Sequence, residues 1–290
     1  MRHEFIEKLL EHAKESPAVW LLTADLGYSY LERFAQAFPE RFVNVGVAEQ
    51  NMVSVGAGLA MTGQKVFVYS IINFLTFRAL EQIRQDVCYH RLSVHLVGVG
   101  AGFAYKEAGY SHYAIEDIAI MGSLPHLRIY SPADGYQTER VMEEISKIAG
   151  PTYIRLGANV QKQRRPILGS VDQGFVYQQG SEIVCAVLGD LLDDVFEPLQ
   201  QFFRIKNIVP TIFSVVALKP FDATLLEKYA SSAAKILVFE RHKASGLTAQ
   251  IYTMKIKNNL AAAIDSYCLP DDATDASSLP CLETFLHKVL

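Results

Sequence analysis

The sequence predicts an α/β protein built as two parallel or mostly parallel α/β sheet domains in tandem. Three observations carry this. Short apolar runs alternate with helix-period segments along most of the chain, which is the rhythm of strand–helix units. The runs are apolar throughout rather than alternately polar, as in strands covered on both faces. The rhythm is interrupted once, around 157–180, by the polar and basic Gln161-Lys162-Gln163-Arg164-Arg165 and a glycine-containing stretch. The expected division is a first domain over 1–157, a linker over 158–180 and a smaller second domain over 181–290.

Taken in order, residues 3–15 predict a helix with Phe5, Leu9, Leu10 and Ala13 on one face. Residues 18–24 are an apolar strand ending at Asp25-Leu26-Gly27. A short helix over 29–38 closes at Pro39, and 42–45 is the next strand. The small-residue segment 50–62 predicts a helix stopped by Gly63. Strands follow at 65–70, 92–99, 127–132 and 152–156. The intervening helices are expected at 73–85, 113–122 and 134–149, and a glycine-rich loop at 98–109. In the second half the strands are 183–188, 209–216 and 234–239, with helices at 193–203, 223–230 and 246–259.

Composition narrows the function. The chain has 290 residues, 50% of them hydrophobic, so a sizeable core can form. A formal charge of −4 and a pI near 6.1 leave no basic surface for nucleic acid. No apolar, uncharged run is long enough to span a bilayer. The opening Met1-Arg2-His3-Glu4 reads as the start of an amphipathic helix, not a signal peptide. Cys88, Cys185, Cys268 and Cys281 are scattered, which indicates neither a zinc site nor a disulfide framework. The cytoplasm is the expected compartment.

The stretch Asn44-Val45-Gly46-Val47-Ala48-Glu49-Gln50-Asn51-Met52 stands out. It places one carboxylate, Glu49, in a segment that otherwise reads as buried. A buried carboxylate is costly unless it is protonated, paired or hydrogen-bonded. Glu49 is either a first-turn acid stabilising the helix that follows or a group with chemistry to do. Open parallel sheets bind ligands at strand ends and the loops after them. Asp25, Glu49 and the loop from Gly100 to His112 fall there. Phe74 and Phe77 lie three apart, on one face of an α-helix, as core or as pocket residues. Asp25 is a turn cap or a site residue, and His112 a loop histidine or a substrate-facing one.

Arg41-Phe42-Val43-Asn44-Val45-Gly46-Val47-Ala48-Glu49-Gln50-Asn51-Met52 resembles the pyrimidine-binding domain of transketolases. Ala24-Asp25-Leu26, Asn73-Phe74 with Arg78, Glu81-Gln82-Ile83-Arg84, Gly109-Tyr110-Ser111-His112, Ile115-Glu116-Asp117-Ile118-Ala119 and Ser131-Pro132-Ala133-Asp134 support this. The second half is similar to the C-terminal domain of that family through Ala217-Leu218-Lys219-Pro220-Phe221-Asp222, Val238-Phe239-Glu240 and Ser245-Gly246-Leu247. The resemblance implies thiamine diphosphate as cofactor, bound between two subunits. It implies that Glu49 hydrogen-bonds the aminopyrimidine ring nitrogen, so that the cofactor's own amino group acts as base. Phe74 would stack on that ring, with Phe77 lining the pocket. Val47 would hold the cofactor bent, Asp25 would lie near it, and His112 would face the substrate.

The chain also departs from the family. Magnesium and the diphosphate are held there by a Gly-Asp-Gly motif and a later Asn. Here Gly189-Asp190 is followed by Leu191-Leu192 and lies in the second domain, so no metal ligands are expected on this chain. The expectation is therefore the C-terminal half of a split transketolase. Its partner would be an N-terminal, diphosphate-binding subunit carrying the Mg²⁺ ligands, in an α2β2 heterotetramer. The family's sugar-reading His and acid fall at Gly100 and Ala108, with Glu107 as a substitute acid. Its phosphate-binding Arg falls near Ala158, with Arg155 the nearest alternative. These changes point to ketol transfer on a substrate other than a standard pentose phosphate. The β subunit of a 2-oxo-acid dehydrogenase or decarboxylase and a non-catalytic partner subunit are the alternatives.

Overall fold

Strands buried on both faces set the architecture. In a computed structural model that describes residues 1–157 and 163–290, seven strands form the first sheet. They are β1 (Val19–Thr23), β2 (Phe42–Asn44), β3 (Lys65–Ile71), β4 (Val94–Val99), β5 (Arg128–Tyr130), β6 (Thr152–Leu156) and, from the second half of the chain, β11 (Ala217–Lys219). Their order is β11-β5-β6-β4-β3-β1-β2, parallel except for β11, which runs against β5. The second sheet holds β7 (Leu168–Ser170), β8 (Gly174–Gln178), β9 (Ile183–Leu188), β10 (Thr211–Val215), β12 (Lys235–Lys243) and β13 (Ala263–Leu269). Its order is β13-β12-β9-β10-β8-β7. Four strands are parallel, with β8 and β7 added as an antiparallel edge.

The helices of the first half are α1 (Arg2–Glu15), α2 (Glu32–Ala37), α3 (Glu49–Met61), α4 (Leu80–Gln82), α5 (Asp117–Gly122) and α6 (Gly135–Ile145). Those of the second are α7 (Leu191–Ile205), α8 (Thr224–Ala230), α9 (Leu247–Lys257) and α10 (Leu282–Val289). α6 starts on an Asp134 side chain that accepts from the Gln137 N–H at 2.9 Å, a regular N-cap. α3 lies close on the sheet because its face is small. A Cβ on Gly56 would sit 3.1 Å from Val68 Cγ1. One apolar cluster runs from Phe5 and Leu9 through Tyr130 and Val216 to Phe175 and Phe203, so the two halves share a core.

Three sequence expectations are corrected. Residues 73–85 are not one α-helix: α4 is a single turn between π-helical stretches Phe74–Arg78 and Ile83–Tyr89. The apolar pattern holds, but each π turn takes in one more residue than an α turn. The expected linker over 158–180 contains β7 and β8, which extend the second sheet. β11 leaves the second domain and pairs with β5 at the edge of the first sheet. No helix among the described residues is long and apolar enough to cross a membrane.

Buried polar groups on these elements have defined partners. Glu240, at the end of the apolar part of β12, accepts from the Leu247 and Thr248 N–H groups at 2.8 and 2.9 Å. It caps α9 from below, and burial pushes its carboxyl up to about 7. A Cβ on Gly246 would meet Glu240 Oε2 at 2.2 Å, so the glycine makes room for the cap. His95 on β4 is fully buried, with Nδ1 2.8 Å from Thr152 Oγ1 and its ring against Phe67. Burial drives its pKa down to about 3, helped by the charges of Lys65 and His12.

The folded protein therefore holds His95 neutral, whereas an unfolded chain protonates it near the ordinary value of about 6.5. The stability this contributes is complete above 6.5 and is lost as pH falls from there through about 3. Denaturant unfolding between pH 7.5 and 4.5 should show this loss approaching about 1.4 kcal/mol per pH unit from this one group. His95→Leu should flatten the slope by a corresponding amount. An equal slope in the variant would mean that other groups carry the acid sensitivity.

Candidate active site

The carboxyl ends of β1, β2, β3 and β4 gather the loops the sequence singled out. Glu49 is the first residue of α3 and is 1% exposed. Its Oε2 accepts from Arg78 Nη1 at 2.6 Å, and Ser70 Oγ lies 3.5 Å from Oε1. The carboxylate thus has both partners the burial argument requires: the positive end of a helix and a cation. Arg78 is itself 44% exposed. Its guanidinium carbon lies 4.5 Å from the Phe74 ring centroid, so it spans the gap between Glu49 and Phe74.

The π turn explains which aromatic faces inward. Arg78, four residues on, returns over the Phe74 ring. Phe77 does not share that position and is 37% exposed. Both rings line an open pocket of about 610 Å³ with Asn73, Arg78, Tyr110 and Glu116. Asn73 Nδ2 donates to the carbonyls of Ser111 and Tyr113 at 3.1 and 2.9 Å, which ties the loop after β4 to the start of this helix. The His112 ring therefore lies 5.0 Å from Phe74 at a steep angle, with Nδ1 3.0 Å from Ser111 Oγ. Glu49, Arg78, Phe74 and His112 form one continuous constellation.

The remaining candidates lie around it. Val47 is 74% exposed, just ahead of Glu49. Asp25 adopts φ +57° and is held in a loop network. It accepts from Tyr28 Oη at 2.8 Å and Asn44 Nδ2 at 3.2 Å, and its own N–H donates to Asn44 Oδ1. Tyr28 and then Asn44 hold its carboxyl below the ordinary aspartate range. The Asn44 carboxamide also accepts from the Gly46 N–H, so this network shapes the loop leading to Glu49.

Beneath the loop lies a buried cluster, and in it Arg155 has a partner that the sequence reading did not foresee. Asp117 Oδ2 accepts from Arg155 Nε at 2.9 Å and from Tyr153 Oη at 2.7 Å. Arg155 Nη2 donates to the Ala114 carbonyl at 2.7 Å. Burial opposes the Asp117 charge most strongly, but Arg155, His242 and the Tyr153 hydroxyl together outweigh it and hold the carboxyl below its usual range. His242, from β12, accepts from the Ile118 N–H at 3.2 Å through Nε2 and donates from Nδ1 to the Lys243 carbonyl. That pattern requires the neutral Nδ1–H tautomer, and burial lowers its pKa accordingly. The signal in the sequence was Arg155 within an apolar strand: Tyr153 and Arg155, two apart, share a face.

These contacts settle three of the departures. Arg155 is engaged with Asp117 and is 3% exposed, so it does not stand in for a phosphate-binding arginine. Ala158 lies outside the described residues. Gly100 has φ +94°, and a Cβ there would lie 2.4 Å from Tyr105 Cε2, so the Tyr105 ring fills the space a side chain would take. Tyr105 also faces His112, with ring centroids 6.4 Å apart, and packs against Arg2. Glu107 and Ala108 are exposed. Asp190 pairs with Arg241 at 3.3 Å and sits against Gly157, a structural role. Among the described residues, no three His, Cys, Asp or Glu side chains gather as a metal site.

The fold is α/β, with the candidate site at the carboxyl edge of its first sheet. The transketolase pyrimidine binding domain matches residues 1–160. A Methanocaldococcus jannaschii protein named as a transketolase C-terminal section is 34% identical over 79% of this chain and 73% of its own. A Phocaeicola vulgatus protein named as one of the subunits of apulose-4-phosphate transketolase is 29% identical over 89% of this chain and 84% of its own. A solved structure described as a split gene transketolase in an inactive β4 tetramer superposes with a TM-score of 0.84. It is 31% identical and covers 93% of this chain and 89% of that one. The chain belongs to the transketolase family, transferases that use thiamine diphosphate, and corresponds to their C-terminal section.

Replacing Asp117 by Asn should leave the Arg155 guanidinium buried without its counter-charge. A loss of about 3–5 kcal/mol in unfolding free energy is expected. Chemical denaturation measures it, and a loss below about 1 kcal/mol would mean that the cluster is not the anchor described.

Proposed function

We propose that the chain is the pyrimidine-binding subunit of a split, thiamine diphosphate-dependent transketolase. The single observation that carries this is the buried Glu49 carboxylate set beside an aromatic ring in a chain of this family. These residues fit the cofactor. A planar N–H donor, the Arg78 guanidinium, already bridges Glu49 and Phe74, as an aminopyrimidine ring would. When bound, thiamine diphosphate supplies the carbon nucleophile and the electron sink for a two-carbon unit.

The chain's own residues have definite tasks in this reading. Glu49 accepts an N–H from the aminopyrimidine ring and biases its tautomer toward the one with a basic exocyclic nitrogen. Phe74 stacks on the ring, Phe77 lines the pocket mouth and Val47 forms the apolar wedge. Asp25, with Asn44, holds the loop that presents Val47 and Glu49. His112, oriented by Ser111, binds or protonates a substrate oxygen through the other ring nitrogen.

The partner is an N-terminal subunit that binds the diphosphate and carries the Mg²⁺ ligands, in an α2β2 heterotetramer. The β4 assembly of the relative with a solved structure is described as inactive, which fits a need for such a partner. The substrate is a ketose or aldehyde other than a standard pentose phosphate. Tyr105 packed over Gly100, exposed Ala108 and the engaged Arg155 support this, as does a relative named for apulose 4-phosphate. Transketolase relatives favour ketol transfer over 2-oxo-acid chemistry, and the complete Glu49–Phe74 pair weighs against a non-catalytic role. Four free thiols suit a reducing compartment such as the cytoplasm.

Thiamine diphosphate with Mg²⁺, titrated calorimetrically, should bind a mixture of this chain and its N-terminal partner and not this chain alone. Glu49→Gln in that mixture should lower two-carbon transfer at least about 100-fold. Unchanged turnover in a folded variant would exclude Glu49 from the chemistry.

A further inference from the structure

Glu49 and Phe74 are the two fixed points of the proposed seat. A planar ring held by both must lie over Phe74 and aim an N–H at Glu49 Oε2. Arg78 already meets both conditions, with an N–H donor at 2.6 Å and its flat group 4.5 Å from the ring centroid. The two groups cannot share that volume, because a stacked ring needs the same roughly 3.5–4 Å layer above Phe74. The other neighbour of Phe74 in the constellation, His112, meets the ring at a steep angle and bonds Ser111, whereas Arg78 is the one that joins the ring to Glu49.

We propose that Arg78 is a place-holder in the pyrimidine seat, bound to Glu49 and Phe74 until an aminopyrimidine displaces it. The inference rests on the thiamine reading of the site. Its physical logic is charge balance. Glu49 is 1% exposed, and without a ring it would be a buried carboxylate lacking a strong donor. Arg78 supplies the donor and keeps the seat formed. Arg78 is 44% exposed on a π-helical turn, so its side chain has water to move into. A 4-aminopyrimidine that takes up one proton from solvent on its ring nitrogen offers that N–H to Glu49 and replaces both the bond and the charge that leave with Arg78. A flat molecule without such a donor leaves Glu49 unpaired and cannot compete. The place-holder thus adds selectivity at the cost of affinity.

The test uses 4-amino-5-hydroxymethyl-2-methylpyrimidine, the ring without the diphosphate, titrated calorimetrically into the mixture of this chain and its N-terminal partner. Arg78→Met, Arg78→Lys and Glu49→Gln are compared with the unaltered protein, with thermal melting to check folding. Arg78→Met should bind at least about tenfold more tightly. Arg78→Lys should fall between, because an ammonium pairs with Glu49 without the flat stacked fork. It also serves as the decisive variant if Arg78→Met does not fold. Glu49→Gln should lose binding. Equal or weaker binding by Arg78→Met, or by Arg78→Lys where that variant decides, with Glu49→Gln still defective, overturns the place-holder while leaving the cofactor reading intact. No binding by any folded form, or binding by Glu49→Gln equal to that of the unaltered protein, overturns both.

Discussion

One carboxylate, that of Asp117, holds the region around the site in place. It is fully buried, which a charge tolerates only when paired and hydrogen-bonded. Arg155 and Tyr153 reach it from one face of β6, and His242 approaches from the second domain. Arg155 then turns to the Ala114 carbonyl, and His242 accepts from the Ile118 N–H. A strand, a loop, a helix start and the neighbouring domain are thereby located relative to one ion pair. The loop so located carries Ser111 and His112, and Asn73 fastens its other side to the π-helical segment. The position of His112 against Phe74 follows from these two anchors.

Glu49 solves a different problem with the same physics. Its charge is buried where a ligand is expected, so its partner must be replaceable. The Asp117 partner, Arg155, is almost fully enclosed, whereas the Glu49 partner, Arg78, is nearly half exposed. An enclosed pair suits anchoring, and a half-open pair suits exchange. The small-residue face of α3 lets Glu49 sit deep against the sheet. The exposed Val47 and Phe77 stand at the rim, where a partner subunit is proposed to close the site.

Much of this was legible because apolar periodicity is local. The strands of the first sheet other than β11, and α1, α3 and α6, lie within a few residues of where the pattern placed them. Glu49 was legible as the one acid in an apolar, small-residue stretch. Other features were not. A π turn and an α turn carry similar apolar patterns, so the Phe74–Arg78 segment read as plain helix. β7 is exposed at every residue and β8 has only a three-residue apolar run, so neither stood out from a polar stretch. β11 is short, and its pairing with β5 joins positions almost ninety residues apart.

The sequence by itself determined the α/β class, the tandem arrangement and the identity of Glu49, Phe74 and His112 as the residues to examine. Burial pattern and spacing give the class and mark Glu49, since both are properties of neighbouring residues, while the resemblance of short motifs to transketolases marks Phe74 and His112. Only the tertiary structure decided which charges pair. It put Arg78 on Glu49 and Phe74, committed Arg155 to Asp117, and packed Tyr105 over Gly100. Each of these joins residues brought together by strand order and loop anchoring. In a low-dielectric interior the partner of a charge is set by where the chain returns, and adjacency along the sequence does not encode that.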